Sequence, residues 1–135
     1  METILQHAVT LSITLACPYS VAFDYLSHPP HQKEWAVHFF QDIREEDGQF
    51  IATLPFGEMP IRLDADRETG VLDIYLGDGA PTRTRLVEVG EGLCLYNFTL
   101  VQPPQMPDSV WEAEGIPNME DELNRLKLLL EQKQH

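Results

Sequence analysis

The 135-residue sequence predicts an α+β domain in which a curved antiparallel sheet of about seven strands wraps a long C-terminal helix. Three observations carry this: apolar and polar residues alternate from residue 8 to residue 15, period-two segments separated by turn signals run from Val37 to Leu100, and apolar residues recur at helical spacing after Asn118. A length of 135 residues with 43% hydrophobic content is the size of one domain, taken to span residues 1–135.

The first strand places Val9, Leu11, Ile13 and Leu15 on one side and Thr10, Ser12 and Thr14 on the other. Pro18 suits the first turn of a helix, in which Val21, Ala22, Tyr25 and Leu26 share a face until Pro29 and Pro30 interrupt it. A second short helix is expected from Gln32 to Trp35.

Turn signals at Asp47-Gly48, Thr69-Gly70, Gly77-Asp78-Gly79 and Gly90-Glu91-Gly92 then imply successive hairpins. If Asp47-Gly48 is a two-residue turn, Glu46 faces Gln49. Phe39, Ile43, Phe50, Ala52, Leu54 and Phe56 then share one face, with Phe40, Asp42, Arg44 and Thr53 on the other. Pairing Asp66 with Val71 and Leu76 with Thr82 adds Ile61, Leu63, Ala65, Leu72, Ile74, Leu76 and Leu86 to the inner face.

For the last hairpin, setting Val89 against Leu93 brings in Cys94, Tyr96, Phe98 and Leu100. A four-residue loop would set Tyr96 and Phe98 beside Arg85 and Arg83; a slip of one residue sends a whole side-chain set to the opposite face, so the first register is preferred. Past Pro103, Pro104 and Pro107 a linker is expected, with a short turn at Ser109 to Ala113. Asn118 is expected to cap the last helix, Glu120, Asp121 and Glu122 suit its first turn, and Met119, Leu123, Leu126 and Leu130 lie on the sheet.

Nine Lys and Arg against 22 Asp and Glu give a formal charge of -13, which repels phosphate backbones and anionic membrane surfaces. Nucleic acid is therefore not an expected partner. No apolar run reaches the length of about 18 residues needed for a membrane helix, and Met1 to His7 lacks the pattern of a signal peptide. Cys17 and Cys94 sit in apolar stretches without metal or redox spacing and are expected to be reduced core thiols. These features point to a cytoplasmic protein without membrane insertion.

One strand, two short helices, about six further antiparallel strands and a long last helix form the order of the helix-grip fold. The chain resembles the START and pollen-allergen superfamily, also called SRPBCC or polyketide cyclase/dehydrase-like. The resemblance is carried by Val9 to Leu15 leading into Pro18-x-x-Val21-x-x-Tyr25-Leu26, by Trp35, by Gly70-Val71-Leu72-Asp73, by Thr82-Arg83-Thr84-Arg85-Leu86, and by Gly90-x-Gly92 with Phe98-Thr99-Leu100. It extends from Ala8 to Lys133. It implies a cavity between the curved sheet and the last helix that holds apolar molecules; some members are cyclases, dehydratases or hydrolases, others carriers or sensors. The chain is short for the superfamily between Trp35 and Phe56, so a small aromatic or acyl ligand fits better than a sterol.

The ligand-binding candidates are Phe39, Phe56, Ile74, Thr84, Tyr96, Phe98, Met119 and Leu123, with Tyr96 and Thr84 as the polar groups of an otherwise apolar site. The competing reading is a solid core. Arg62, Asp64, Asp73, Tyr75, Arg83 and Arg85 could be read as an active-site cluster, but the register opposes Asp64 to Asp73, Asp73 to Arg85 and Tyr75 to Arg83 on the wet face, where a cross-strand charge ladder accounts for them. His28, His31 and His38 fit no closed metal signature, so no metal and no cofactor is expected. Trp35 and Trp111 are either mouth residues or plugs where helices meet the sheet.

The leading expectation is binding of a small hydrophobic or aromatic ligand. A cyclase or dehydratase would need Tyr96 to donate to a carbonyl while an inward carboxylate or histidine moves protons; the register sends Asp64, Asp73 and His38 outward, so this needs another register or an inward bend of Glu58 or Glu88. A third reading uses outward Phe40, Ile51 and Trp111 as a protein-interaction or homodimer surface.

Overall fold

The computed structural model describes residues 7–132. Met1 to Gln6 and Lys133, which entered the leader and resemblance arguments, lie outside the described residues. The order is β1 (Ala8–Leu15), α1 (Tyr19–Leu26), a 3-10 turn (Pro29–His31), α2 (Gln32–Trp35), β2 (Asp42–Glu46), β3 (Gln49–Leu54), β4 (Gly57–Asp66), β5 (Val71–Leu76), β6 (Thr84–Gly90) and β7 (Leu93–Val101). A continuous helical path follows: α3 (Asp108–Val110), a π-helical turn (Trp111–Gly115) and α4 (Ile116–Gln132).

The seven strands form one antiparallel sheet in the order β1-β7-β6-β5-β4-β3-β2. Its inner face and α4 share one core, in which Leu72, Leu86, Cys94 and Tyr96 join Met119, Leu123, Leu126 and Leu130. The α+β architecture with a curved sheet around a C-terminal helix is as the sequence predicts.

Alternation decides which side chains reach the core. β1 pairs with β7 so that Leu15 opposes Cys94, Ile13 opposes Tyr96 and Leu11 opposes Phe98, while Thr10 and Ser12 hydrogen-bond Thr99 and Asn97 across the wet face. The β2–β3 turn follows the expected pairing of Glu46 with Gln49. The last hairpin also keeps the preferred register, with Thr84 opposite Phe98 and Leu86 opposite Tyr96. It ends in an irregularity between Glu88 and Gly90, so that Gly90, not Val89, opposes Leu93.

Between β5 and β6 the expected register is displaced by two residues. Thr82 opposes Ile74 instead of Leu76, because β5 continues along β4 as far as Leu76, opposite Ile61, and the Gly77 N–H is taken by the Pro60 carbonyl. A two-residue slip keeps every side chain on its face. It does change the partners: the Asp73 carboxylate meets Arg83 at 2.6 Å, and neither the Asp73–Arg85 nor the Tyr75–Arg83 pairing forms.

Three placements depart from the period-two reading. The segment after α2 is a turn, with the Phe39 and Phe40 N–H groups both reaching back to the Ala36 carbonyl, so β2 begins only at Asp42. Phe40 therefore enters the core at 6% exposure, and Phe39 is partly exposed. Phe56, expected inward, lies in the two-residue turn that joins paired Leu54 and Gly57, and is 69% exposed.

The surface imagined for partner binding also dissolves. Phe40 and Trp111 are both buried, and Ile51 is half-buried. Asn118 is not a cap: helix begins at Asp108 behind Pro107, and Pro117 is accommodated by the π turn just before it, where the Ile116 N–H reaches the Trp111 carbonyl five residues back. A proline inside an α-helix removes one ladder bond and crowds the preceding turn, and the wider π turn relieves that conflict.

Candidate functional site

The sheet and α4 do not close completely. A cavity of about 430 Å³ lies between them. The β5 and β6 side contributes Ile74, Leu76 and Thr82, and β7 contributes Phe98 and Leu100. Trp35 and Ala36 of the α2 region, with Phe39 and Phe40 of the following turn, form a second wall, and Met106, Trp111 and Met119 close the helical side. Such a volume with a mainly apolar lining is typical of small-molecule sites.

The opening between β5 and β6 follows from the displaced register. Ile74 and Thr82 exchange both backbone bonds, whereas Leu76 stays with β4, so the two strands part near the cavity. The helical side is held by Gln102, whose amide donates to the Met106 carbonyl at 2.7 Å and to Asp108 at 2.9 Å. Gly115 packs closely under the Trp111 ring, where a Cβ would lie 3.0 Å from it and press on this wall of the cavity.

Of the sequence candidates, Ile74, Phe98, Met119 and Phe39 line this space. Leu123, Thr84 and Tyr96 are buried in the adjoining core without lining it, and Phe56 stands outside, its ring 6.3 Å from that of Phe39. The two expected polar groups satisfy one another: Thr84 donates to the Leu72 carbonyl at 2.6 Å, and its hydroxyl is also hydrogen-bonded to the Tyr96 phenol. Burial pushes the Tyr96 phenol up, and the bond to Thr84 only partly offsets it.

Among the described residues lining the cavity, the carboxylate is Glu122, which the sequence reading left among the acidic residues of the helix start. It is 4% exposed and lines the cavity. Its Oε2 accepts the His38 backbone N–H at 2.8 Å. Burial raises the Glu122 carboxyl above the usual range, and the His38 N–H is the main influence opposing the rise. The signal was present in the spacing, since residue 122 shares a face with Met119, Leu123 and Leu126.

Trp35 is fully buried against Tyr96, with its Nε1 unpartnered. Gln32, 1% exposed, also reaches the cavity lining and donates to the Leu26 carbonyl at 3.3 Å. Trp35 and Trp111, which the sequence left as mouth residues or plugs, both line the cavity, whereas no sequence pattern marked Gln32.

The charged cluster stays on the outer face. Arg62 pairs with Asp64 and covers the Tyr75 ring, Asp73 pairs with Arg83, and the Arg85 Nε donates to the Thr69 carbonyl. Glu58 is held by Arg44 and Thr53, and Glu88 is exposed. Neither approaches Tyr96 to form the acid–base pair that a Tyr96-centred cyclase would use.

The histidines are engaged separately. His31 stacks on Tyr25 and its Nδ1 contacts the Tyr25 carbonyl, His28 packs edge-on to His31, and the His38 ring meets Asp121 at 2.8 Å. Among the described residues, no group of three or more His, Cys, Asp or Glu is placed to hold a metal ion. Cys17 and Cys94 are buried free thiols, and burial pushes the Cys94 thiol up to about 11.

A seven-stranded antiparallel sheet curved around a C-terminal helix, with an apolar space between them, is the helix-grip fold. Solved structures agree. The aromatase/cyclase Zhui from Streptomyces sp. R1128 is similar with a TM-score of 0.70 and 13% identity, covering 97% of each chain. A START superfamily protein from Mycobacterium smegmatis matches with a TM-score of 0.66 and 16% identity over 93% of this chain and 98% of its own. Norcoclaurine synthase from Thalictrum flavum, a point mutant with a transition-state analogue, matches with a TM-score of 0.66 and 11% identity over 100% of both chains. No family model matches the sequence, and no curated protein matches it. At these identities the likeness is one of fold. Among the described residues, no helix is long and apolar enough to cross a membrane.

Proposed function

We propose that this protein binds a small hydrophobic or aromatic ligand in the cavity between the sheet and α4. The observation that carries the reading is the cavity itself: about 430 Å³, walled by Ile74, Leu76, Phe98, Leu100 and Met119, in a chain otherwise able to bury its core completely at Leu72, Leu86 and Leu126. Removing apolar ligand surface from water contributes about 25 cal/mol per Å², so shape and hydrophobicity set most of the affinity. The similarity to a cyclase and to a synthase with a bound analogue supports the same use of the fold. The two buried free thiols support a reducing, cytoplasmic setting.

Binding is favoured over catalysis centred on Tyr96 because Tyr96 is committed to Thr84 and the carboxylates named for proton transfer lie on the surface. Native mass spectrometry of the purified protein with neutral bicyclic aromatics tests the reading. Retained or added ligand at one equivalent is expected for the wild type, and its loss is expected in Leu76→Trp, which fills the cavity. No adduct with any member of the panel, or unchanged adducts in Leu76→Trp, overturns the reading.

A further inference from the structure

Resting on the cavity reading, we infer that the ligand carries a hydroxyl or amine that donates to Glu122, and that carboxylate-bearing ligands are rejected. Glu122 is the ionisable side chain buried in the wall, at 4% exposure, and among the described residues that line the cavity there is no Lys or Arg. His38 stands at the rim with its ring turned to Asp121 of α4, a further negative charge on the same side. A ligand carboxylate would enter a mainly apolar space already holding one carboxylate, with no Lys or Arg to pair with and with His38 already engaged by Asp121.

The acceptor capacity is real. A carboxylate offers about four lone-pair positions, and the backbone N–H of His38 occupies only one of them. That bond also fixes the carboxylate in place, since it ties α4 to the turn that follows α2. A ligand O–H or N–H therefore meets a positioned acceptor in a low-dielectric wall, where one hydrogen bond discriminates strongly and an unpaired charge is costly. Trp35 and Trp111 both line the space, so indole fluorescence reports occupancy.

The test is a fluorescence titration at neutral pH with naphthol, naphthylmethylamine, methoxynaphthalene and naphthoate, which share one ring system. High salt is included, because attraction to the acidic surface is screened while a buried contact is not. The expected result is naphthol and the amine binding about tenfold more tightly than methoxynaphthalene, with naphthoate weakest at every salt concentration. In Glu122→Gln the amine loses its advantage and naphthoate gains, bringing the four within about threefold. Naphthoate binding as tightly as naphthol, a ranking that collapses with salt, or an unchanged ranking in Glu122→Gln overturns the inference and leaves the cavity reading standing. Absence of binding by all four overturns both. The wild-type ranking decides the matter by itself should the variant not fold.

Discussion

The Glu122 carboxylate on α4 accepts the backbone N–H of His38 at 2.8 Å, joining the last helix to the turn that carries Phe39 and Phe40 into the cavity wall. One side chain thus closes a wall and supplies its carboxylate. Its burial has a consequence for stability. The folded-state pKa is raised, so between the ordinary glutamate value and the raised one the native state holds more protons than the unfolded state, and stability falls as pH increases through that window. In a comparison of melting temperatures, Glu122→Gln should gain relative to the wild type as pH rises above the ordinary glutamate value. A difference that stays constant over that rise would contradict the assignment.

Surface carboxylates act with the opposite sign. Arg44 and Thr53 lower the Glu58 carboxyl, and Arg125 and His38 lower Asp121. Their contribution is present above the unfolded value and disappears as pH falls through the folded value. The wild type should therefore lose stability in acid even though Glu122 favours it there, and only the difference between wild type and Glu122→Gln isolates the buried group.

Gly70 has no room for a side chain. It adopts φ +79°, and a Cβ would stand 1.9 Å from the Leu86 carbonyl oxygen, while the Leu86 N–H bonds the Gly70 carbonyl at 2.8 Å. Gly70→Ala should cost about 3 kcal/mol in denaturant unfolding, through the clash and the strained φ together.

Phe40 and Phe56 test the corrected chain path. Phe40→Ala empties a core position and should cost about 3 kcal/mol, whereas Phe56→Ala, at a turn with 69% exposure, should stay within about 1 kcal/mol of the wild type. Equal costs would contradict the placement of the turn after Ala36.

The sheet was legible because its face assignment depends only on parity. Leu72, Ile74, Leu86, Tyr96 and Phe98 fall inside even though the β5–β6 register is displaced by two residues. Phe40 and Phe56 were misplaced because each sits in a turn, where period two no longer applies, and Phe39 reaches the cavity from the same turn as Phe40 and not from a strand. Glu122 was hidden by its acidic neighbours Glu120 and Asp121, although its helical position put it among the core residues. Gln32 depends on how α2 meets α4, a long-range contact that local spacing does not report, and the same contact decides between the two roles the sequence left open for Trp35.

Asp73 offers a control on the outer face. Its pairing with the mostly exposed Arg83 predicts that Asp73→Ala costs no more than about 1 kcal/mol and leaves ligand affinity unchanged. A large loss of binding in a fluorescence titration would place Asp73 at the site instead.

The most direct test of the central claim is a set of intermolecular NOEs between naphthol and methyl-labelled protein. The account predicts contacts to the methyl groups of Ile74, Leu100 and Met119, which line the cavity, and none to exposed Val89 and Leu93 at the far hairpin. Naphthol contacts confined to Val89, Leu93 or other surface methyl groups, with Ile74 and Met119 untouched at saturation, would contradict it.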